Sequence, residues 1–357
     1  MVKLSEVAGI PRKDALSVLD ALRNNTTSSS SSSSSSAPPS SSTTTTTSST
    51  STSTSVLGGR RSVPEQKSGY ALLMEERTQV PIITFSAEMD RMLGGGVSVG
   101  KVTEFSGTPG IGKTQLGMQL AVDVQIPEAY GGLGGTVVYI DTEGSFVVER
   151  VVEMAEALLA HLDAVAGSSR TELGPHGLSL ESILEGITYY RVHSYVEQIA
   201  LINLLPSLIP ASTRLVVIDS VAFHFRHDFA NMGIRSRVLN GMAQALTNLA
   251  ESRTLAVVMM NQVTTRGIGR SGGGKAYLAP ALGEAWGHAA ALRINLYWDG
   301  QTRVADLVKA VGVERSKIVY DVVQAGVRDV ADGVAEVGQK RGREGGSSVE
   351  HPPMKKR

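Results

Sequence analysis

The residues with the clearest chemical potential form the segment GTPGIGKT at positions 107–114. Their types and spacing match G-x-x-x-x-G-K-[ST], in which glycines let backbone N–H groups surround phosphate oxygens. Lys113 would bring a positive charge to the β- and γ-phosphates, and Thr114 a hydroxyl to Mg²⁺. We predict a loop that binds ATP and Mg²⁺; the alternative is a glycine-rich turn that matches by chance. The predicted loop consists of Gly107, Thr108, Pro109, Gly110, Ile111, Gly112, Lys113 and Thr114.

Acidic residues follow two other apolar runs of the chain. Asp219 ends the run LVVID, where its carboxylate can complete the Mg²⁺ shell or, alternatively, cap a helix. Asp141 and Glu143 follow VVYI, where a carboxylate can orient or deprotonate an attacking water, or simply belong to a solvated turn. We predict Asp219 as a metal ligand and Glu143 as the catalytic base.

Amide side chains end a fourth apolar run, VVMMNQV. Asn261 or Gln262 there can sense the γ-phosphate, and the alternative is that both only cap the strand. In open α/β sheets, ligands gather at the carboxyl ends of the strands. Because four strands of one sheet end in polar residues, we predict that these ends form a single site. We assign Lys113, Glu143 and Gln262 to its catalytic residues.

The elements that must position these residues alternate along the chain. Continuous apolar runs predict buried strands over 101–107, 135–141, 214–220 and 255–263. Helical patterns lie over 114–124, 147–161, 196–205 and 236–252. This alternation predicts an α/β fold with a mostly parallel central sheet flanked by helices. The later runs HAAALRINLYW and KIVYDVV are expected to add edge strands.

Composition divides the chain into four parts. Residues 26–55 are Ser or Thr except Ala37, Pro38 and Pro39, and such a tract cannot bury enough apolar surface to fold. We predict a disordered linker over 26–68, a small helical segment over 1–25, a core over 69–328 and a flexible basic tail over 329–357.

Charge and residue content exclude several classes of protein. Lys+Arg and Asp+Glu both number 34, so a nucleic acid would have to meet a local basic patch. The absence of cysteine excludes disulfides, thiolate zinc sites and a cysteine nucleophile. We expect no secretory signal and no membrane span, because no sufficiently long apolar run is present.

Basic residues occur in two segments that follow the predicted strand ends at the nucleotide site. The first, 223–240, comes after Asp219, and the second, 264–288, comes after Gln262. Basic groups can follow a phosphate backbone, and glycines let a loop move; the alternative is a pair of ordinary solvated loops. Because each segment leaves a strand that ends at the nucleotide, ATP could set its conformation. The candidate DNA-binding residues are Arg226, Arg235, Arg237, Arg266, Arg270 and Lys275.

Several segments resemble the RecA-like strand-exchange recombinases, in their eukaryotic branch, and within it the C-type paralogues. The most specific are QLAVDVQIPE and PALGEAWGHAA, and the resemblance spans about 69–328. It implies a RecA-like ATPase core. Lys113 and Thr114 would be Walker A residues, Asp219 the Walker B carboxylate, Glu143 the catalytic glutamate and Gln262 the γ-phosphate sensor. His288 matches a histidine that faces a neighbouring protomer's nucleotide.

The resemblance also implies partners. Single-stranded and branched DNA, other recombinase paralogues in a hetero-oligomer, and the main strand-exchange recombinase are expected; a membrane is not. The role implied is a DNA-dependent ATPase that loads or stabilises recombinase filaments during homologous repair. RVADLVKAVGVERSKIV lacks the family's proline-containing cap, which leaves open an ATP-binding assembly scaffold with little hydrolysis. An unrelated P-loop helicase or kinase is the third hypothesis.

Basic clusters in the tail indicate where in the cell the protein is located. Two groups separated by a spacer fit a bipartite nuclear import motif, and the alternative is a charged, soluble tail. Together with the family resemblance, they predict a nuclear protein. The residues are Lys340, Arg341, Lys355, Lys356 and Arg357.

Overall fold

The computed structural model describes residues 67–166, 177–226, 232–266, 277–280, 282, 286–288 and 290–330. The chain divides into two compact units, Met1–Gln79 and Val80–Arg357. In the first unit, helix α1 (Gly69–Thr78) begins at Ser68, whose hydroxyl accepts a hydrogen bond from the Ala71 N–H. The predicted helical segment over 1–25, most of the linker and all but the first residues of the tail lie outside the described residues.

Ten strands are present in the described part of the second unit. They are β1 (Val102–Gly107), β2 (Thr136–Asp141), β3 (Ile187–Arg191), β4 (Thr213–Asp219), β5 (Ala256–Arg266), β6 (Tyr277–Pro280), β7 (Leu292–Asp299), β8 (Thr302–Lys309), β9 (Lys317–Val323) and β10 (Gly326–Asp329).

The strands form one sheet in the order β10-β9-β8-β7-β1-β5-β4-β2-β3, and β6 pairs with β5. The block from β7 to β3 is parallel throughout. Every residue of β1 is buried, including the polar Thr103, Glu104 and Ser106, as expected for a strand covered on both faces. The predicted α/β fold with a mostly parallel central sheet is confirmed.

The far side of the sheet differs from the sequence prediction. The run HAAALRINLYW was expected to add an edge strand, but β7 lies inside the sheet between β1 and β8. KIVYDVV forms β9, which is also inside, because β10 covers its outer edge. An antiparallel meander of β8, β9 and β10 thus extends the parallel block beyond the strands that apolar runs revealed.

Helices cover the faces of the sheet. In the second unit they are α2 (Ala87–Leu93), α3 (Lys113–Asp123), α4 (Val148–Ala166), α5 (Leu180–Glu185), α6 (Tyr195–Leu208) and α7 (Met232–Arg253), with 3₁₀ turns at Glu128–Tyr130, Phe223–Phe225 and Trp286–His288. None of the helices in the described residues is long and apolar enough to span a membrane.

Helix α3 is the central helix of the site because it follows β1 directly. It is buried along almost its whole length between the sheet and α4. A Cβ at Gly117 would lie 3.1 Å from the Tyr139 hydroxyl and 3.2 Å from Met260 Cε. The missing side chain therefore lets α3 lie close against the sheet, which fixes the height of its N-terminus above the strand ends.

Candidate nucleotide-binding site

The segment 107–114 forms the turn between β1 and α3. Gly112 caps the helix with φ 111°, a conformation that a side chain would strain. Helix α3 starts at Lys113, so its free N–H groups and positive dipole end face the loop. The strand, loop and helix expected for a phosphate-binding motif are thus present in order.

A cavity of about 360 Å³ opens at this loop. Its volume falls in the range of small-molecule sites, roughly 300–1,000 Å³. Glu143, Asp219 and Gln262, which the sequence placed at the ends of three separate strands, all line it. They are joined there by Pro109, Gly110, Gly112, Lys113, Thr114, Gln115 and Ser145. The register of the parallel strands explains the convergence, because Gly107 pairs with Gln262 and Asp141 with Asp219.

Lys113 is held inside the loop. Its Nζ donates to the carbonyl oxygens of Gly107 at 3.0 Å and Thr108 at 2.9 Å. Burial lowers the pKa of Lys113, while the charges of Asp219 and Glu143 act to raise it. A bound phosphate would stabilise the charged ammonium group of Lys113, since only neutral carbonyl oxygens accept its hydrogen bonds in the free protein.

Asp219 lies at the end of β4 and is almost fully buried. Tyr139 Oη donates to its Oδ2 at 3.1 Å. Burial raises its pKa to about 6; the Thr114 hydroxyl, hydrogen-bonded to the carboxyl, acts to lower it, and the charge of Glu143 acts to raise it. Thr114 and Asp219 are therefore neighbours, as the predicted Mg²⁺ site requires.

These residues fit a nucleotide with bound Mg²⁺. Thr108 Oγ1 and Ser145 Oγ are buried beside the loop without a hydrogen-bond partner, and Ser145 lines the cavity. Such orphaned hydroxyls call for a ligand or water. Within the described residues, no cluster of three or more His, Cys, Asp or Glu side chains could hold a metal. Mg²⁺ commonly takes one or two protein ligands and completes its shell with phosphate and water, so Thr114 and Asp219 would suffice as its protein ligands.

Asp219→Asn is expected to raise the free energy of unfolding of the nucleotide-free protein above about pH 6, by roughly 1–2 kcal/mol. The folded pKa of Asp219 is about 6 and the reference value is 3.8, so folding disfavours the ionised carboxylate. This penalty is absent below the reference pKa, grows as pH rises to the folded pKa, and is constant above it. Part of the gain is offset, because the amide nitrogen cannot accept a hydrogen bond from Tyr139 or Thr114.

Urea unfolding without nucleotide or Mg²⁺ at about pH 5 and pH 8 measures this effect. The stabilisation by Asp219→Asn should be larger at the higher pH. An equal change at both pH values would contradict the penalty. Tyr297→Phe, on an exposed hydroxyl of β7, provides a control whose effect should not depend on pH in this window.

Glu143 lies where β2, β4 and β5 end. Its Oε1 accepts hydrogen bonds from Ser220 Oγ at 2.5 Å and from Gln262 Nε2 at 2.6 Å. The predicted catalytic base and the predicted phosphate sensor therefore touch each other in the free protein. Any movement of Gln262 towards a phosphate would change the hydrogen bonding of Glu143.

Asp141, which the sequence placed beside Glu143 as a second candidate carboxylate, builds the loop that carries it. Its Oδ1 accepts from the N–H groups of Glu143 at 2.9 Å and Gly144 at 2.7 Å. Its Oδ2 accepts from the Phe146 N–H and the Tyr189 hydroxyl, both at 3.1 Å. With its lone pairs occupied, Asp141 fixes backbone and leaves Glu143 as the carboxylate of this loop that lines the cavity.

Asn261 points away from the site, unlike its neighbour. It is fully buried, and its Nδ2 donates to Glu104 Oε1 at 2.6 Å. Arg293 Nε donates to the other oxygen of Glu104 at 2.7 Å. Successive strand residues face opposite sides of a sheet, so only Gln262 of the two amides reaches the cavity.

The sequence analysis missed Thr142 and Ser220, which support Glu143. Both are fully buried. Thr142 Oγ1 donates to the Ser220 carbonyl and accepts from the Ser220 N–H, each at 2.8 Å. This pair joins the ends of β2 and β4 and sets where the Ser220 hydroxyl meets Glu143. The only clue in the sequence was that each residue adjoins a predicted site residue.

The candidate DNA-binding residues have different surroundings. Arg226 is half-buried, with no hydrogen-bond partner for its Nε, and its charge lowers the pKa of Lys113, so it lies on the nucleotide side. Arg235 Nε donates to the Phe225 carbonyl at 2.8 Å, and Arg237 is exposed on α7. Arg266 ends β5.

Other predicted residues lie wholly or partly beyond what the structure describes. For His288 only the position is described, in the 3₁₀ turn Trp286–His288. Arg270, Lys275 and the import residues Lys340, Arg341, Lys355, Lys356 and Arg357 lie outside the described residues.

A mostly parallel sheet, a phosphate loop after its β1 strand and acidic residues after β2 and β4 define a RecA-like P-loop protein. A family model described as Rad51 matches residues 76–169 and 171–330. The chain belongs to the Rad51 family.

Two curated relatives carry the same description, "DNA repair protein RAD51 homolog 3". The chain is 46% identical to the one from Cricetulus griseus over 265 residues, covering 73% of this chain and 71% of the relative. It is 42% identical to the one from Dictyostelium discoideum over 251 residues, covering 70% of this chain and 65% of the relative. The chain is therefore similar to DNA repair proteins across most of its core.

Proposed function

We propose that this protein is an ATP-dependent, DNA-binding mediator of homologous-recombination repair, of the C-type paralogue group. The observation that carries the proposal is the hydrogen bond of 2.6 Å between Gln262 Nε2 and Glu143 Oε1. Gln262 lies in β5, and β5 ends at Arg266. The second predicted DNA-binding segment, 264–288, begins within this strand and includes Arg266, so one strand connects the ATP site with a candidate DNA contact.

Each residue of the site has a role in the proposed DNA-dependent ATPase. Lys113 and the loop N–H groups would bind the phosphates, and Thr114 and Asp219 would hold Mg²⁺. Bound Mg·ATP supplies the phosphoanhydride bond that is hydrolysed. Glu143 would orient the attacking water and accept its proton. Ser220 and the Asp141-capped loop keep the Glu143 carboxylate in place.

Communication with DNA would depend on Gln262. In the free protein its amide is bound to Glu143, and a phosphate in the cavity would compete for the same N–H donor. The two arrangements would shift the end of β5, where the second predicted DNA-binding segment begins; nucleotide-dependent changes of this kind operate in molecular switches. DNA binding to that segment would in return favour one arrangement at Glu143.

The proposed partners are other recombinase paralogues in a hetero-oligomer, the main strand-exchange recombinase, and single-stranded or branched DNA. Membership of the Rad51 family and the DNA repair descriptions of both relatives support these partners. The same evidence supports a nuclear location and a role in loading or stabilising recombinase filaments at double-strand breaks and crosslinks.

A second candidate function is an ATP-binding assembly scaffold with little hydrolysis. Glu143 Oε1 accepts two short hydrogen bonds, from Ser220 and Gln262. Both bonds hold Oε1 of Glu143 against protein donors, so this oxygen is less free to accept a proton from a water. If this arrangement persists with ATP bound, the protein would bind nucleotide and partners without efficient turnover.

DNA binding by the purified full chain tests the proposed function. A fluorescent single-stranded oligonucleotide should bind more tightly with ATP and Mg²⁺ than without, and more weakly as salt rises. Arg237→Ala is expected to weaken binding about 3- to 10-fold and to reduce the salt slope by about one, as one lost phosphate contact would. Arg266→Ala should act in the same direction.

Arg91→Ala is the matched control, because Arg91 is an exposed cation of α2 far in sequence from both segments. It should leave the affinity and the salt slope unchanged. Equal DNA affinities with and without ATP would contradict the coupling of the two sites. So would a DNA affinity that Arg237→Ala and Arg266→Ala leave unchanged.

A further inference from the structure

Tyr320 of β9 contacts the phosphate loop from outside the cavity. Its ring is buried, and its hydroxyl donates to the Ile111 carbonyl oxygen at 2.9 Å. Gly110 and Gly112, on either side of Ile111, line the cavity, whereas Ile111 and Tyr320 do not. A side chain from the opposite end of the sequence therefore binds the loop's backbone outside the cavity.

The hydrogen bond from Tyr320 to the Ile111 carbonyl determines the direction of the Gly112 N–H group. The Ile111 carbonyl and the Gly112 N–H belong to one peptide unit, which is trans. In a trans peptide the C=O and N–H point in opposite directions. A carbonyl held on the outside by Tyr320 thus leaves the Gly112 N–H directed to the inside of the loop, where a phosphate would lie.

Without an anchor this peptide unit could turn over at low cost. Such a flip rotates ψ of Ile111 and φ of Gly112; φ of Gly112 is 111°, and glycine accepts either sign of φ. A turned peptide would present the Ile111 carbonyl oxygen to the phosphates in place of a donor. The partly negative carbonyl oxygen of Ile111 would then face the negatively charged phosphate oxygens.

The hairpin that carries Tyr320 is itself fixed to the site. A Cβ at Gly112 would lie 3.0 Å from Val322 Cγ2, so β9 lies directly against the loop. Arg150 donates to the Val323 and Gln324 carbonyls at 2.5 Å and to Gln115 Oε1 at 2.6 Å. Gln115 lines the cavity, so Arg150 ties the β9–β10 turn to helix α3 beside it.

We propose that Tyr320 is a positioning residue for nucleotide binding: its hydroxyl holds the Ile111 carbonyl outward, so that the Gly112 N–H faces the phosphates. The inference rests on the proposed ATP site. Burial raises the pKa of Tyr320 above its usual value, so the hydroxyl keeps the proton that it donates. The hairpin acts on affinity without touching the nucleotide.

Tyr320→Phe tests the proposal, because it removes one oxygen and keeps the ring. Titration of the full chain with a fluorescent ATP analogue and Mg²⁺ should show binding about 5- to 20-fold weaker than in the unchanged protein, as expected for one buried hydrogen bond. The KM for ATP should rise by the same factor and kcat should change little, since Glu143 lines the cavity and Tyr320 does not. Tyr297→Phe, which removes an exposed hydroxyl of β7 outside the cavity, should leave both constants unchanged.

A rescue experiment separates positioning from a loss of stability. Replacing Tyr320 with p-aminophenylalanine returns an N–H donor at the same place and should restore most of the affinity. Failure of this rescue while the protein remains folded, or equal affinities for Tyr320→Phe and the unchanged protein, would overturn the proposal.

Lys113→Ala distinguishes the failure of this inference from that of the proposed function. If the unchanged protein binds the analogue, Lys113→Ala does not, and Tyr320→Phe binds normally, only the role of Tyr320 is wrong. If Lys113→Ala binds as well as the unchanged protein, the nucleotide is not held by this loop, and the inference about Tyr320 is overturned with it.

Discussion

Glu143→Gln is expected to lower the kcat for DNA-stimulated ATP hydrolysis by about 100-fold or more, in the range that general base catalysis contributes. The substitution removes the charge that can accept a proton from water. The amide oxygen can still accept hydrogen bonds from Ser220 and Gln262, so the loop should keep its position. ATP affinity should therefore stay within about 3-fold, a change of less than 1 kcal/mol.

Steady-state turnover with saturating DNA, measured beside nucleotide binding, checks this prediction. Glu149→Gln is a suitable control, since Glu149 is an exposed acid in the first turn of α4. Unchanged turnover in Glu143→Gln would remove Glu143 from the mechanism. If repair in cells that carry Glu143→Gln is normal while ATP binding is still required, the scaffold function is favoured over the ATPase.

Lys113→Ala is expected to weaken the binding of Mg·ATP by about 100-fold, or roughly 3 kcal/mol. Its ammonium group is the cation of the phosphate loop, and it is placed by hydrogen bonds to Gly107 and Thr108. Removing it also leaves the buried charge of Asp219 and the neighbouring charge of Glu143 without their compensating partner. Lys113→Arg should not restore binding, because a guanidinium is larger and differs in shape.

Equilibrium binding of ATP with Mg²⁺, together with the unfolding temperature of the free protein, tests this expectation. Lys317→Ala removes an exposed lysine of β9 and should leave nucleotide binding intact. A Lys113→Ala protein that is folded and binds ATP normally would contradict the assignment of the loop. Both candidate functions predict that loss of binding by Lys113→Ala disrupts assembly with paralogue partners, whereas only the ATPase predicts that Glu143→Gln impairs repair.

Predictions that depended on local pattern agree closely with the structure. The predicted strand over 101–107 corresponds to Val102–Gly107, and the predicted helix over 236–252 lies inside Met232–Arg253. Buried strands of a parallel block have two apolar faces, so they appear as unbroken runs in a single sequence. The convergence of polar strand ends followed from the same argument, because parallel strands bring their carboxyl ends to one edge.

Elements with weaker local patterns escaped the sequence analysis. Strand β3 has five residues, two of them exposed, and so lacks a continuous apolar run. Strand β8 alternates irregularly between buried and half-buried positions. The interior positions of β7 and β9 could not be known without β8 and β10, because a strand is at the edge only if nothing pairs with its outer side.

The sequence by itself determined the loop 107–114, the α/β class and the strand ends that meet at the cavity, because these depend on residue types at short spacing. Only the tertiary structure decided which polar side chains serve the site. Asp141 caps its own loop by accepting from the N–H groups of Glu143 and Gly144. Asn261 faces the other side of the sheet, where it donates to Glu104, 157 residues away. Tyr320 is 209 residues from the Ile111 carbonyl that it binds. No pattern of short spacing records such a contact, since it arises only when the β9–β10 hairpin folds back against the loop.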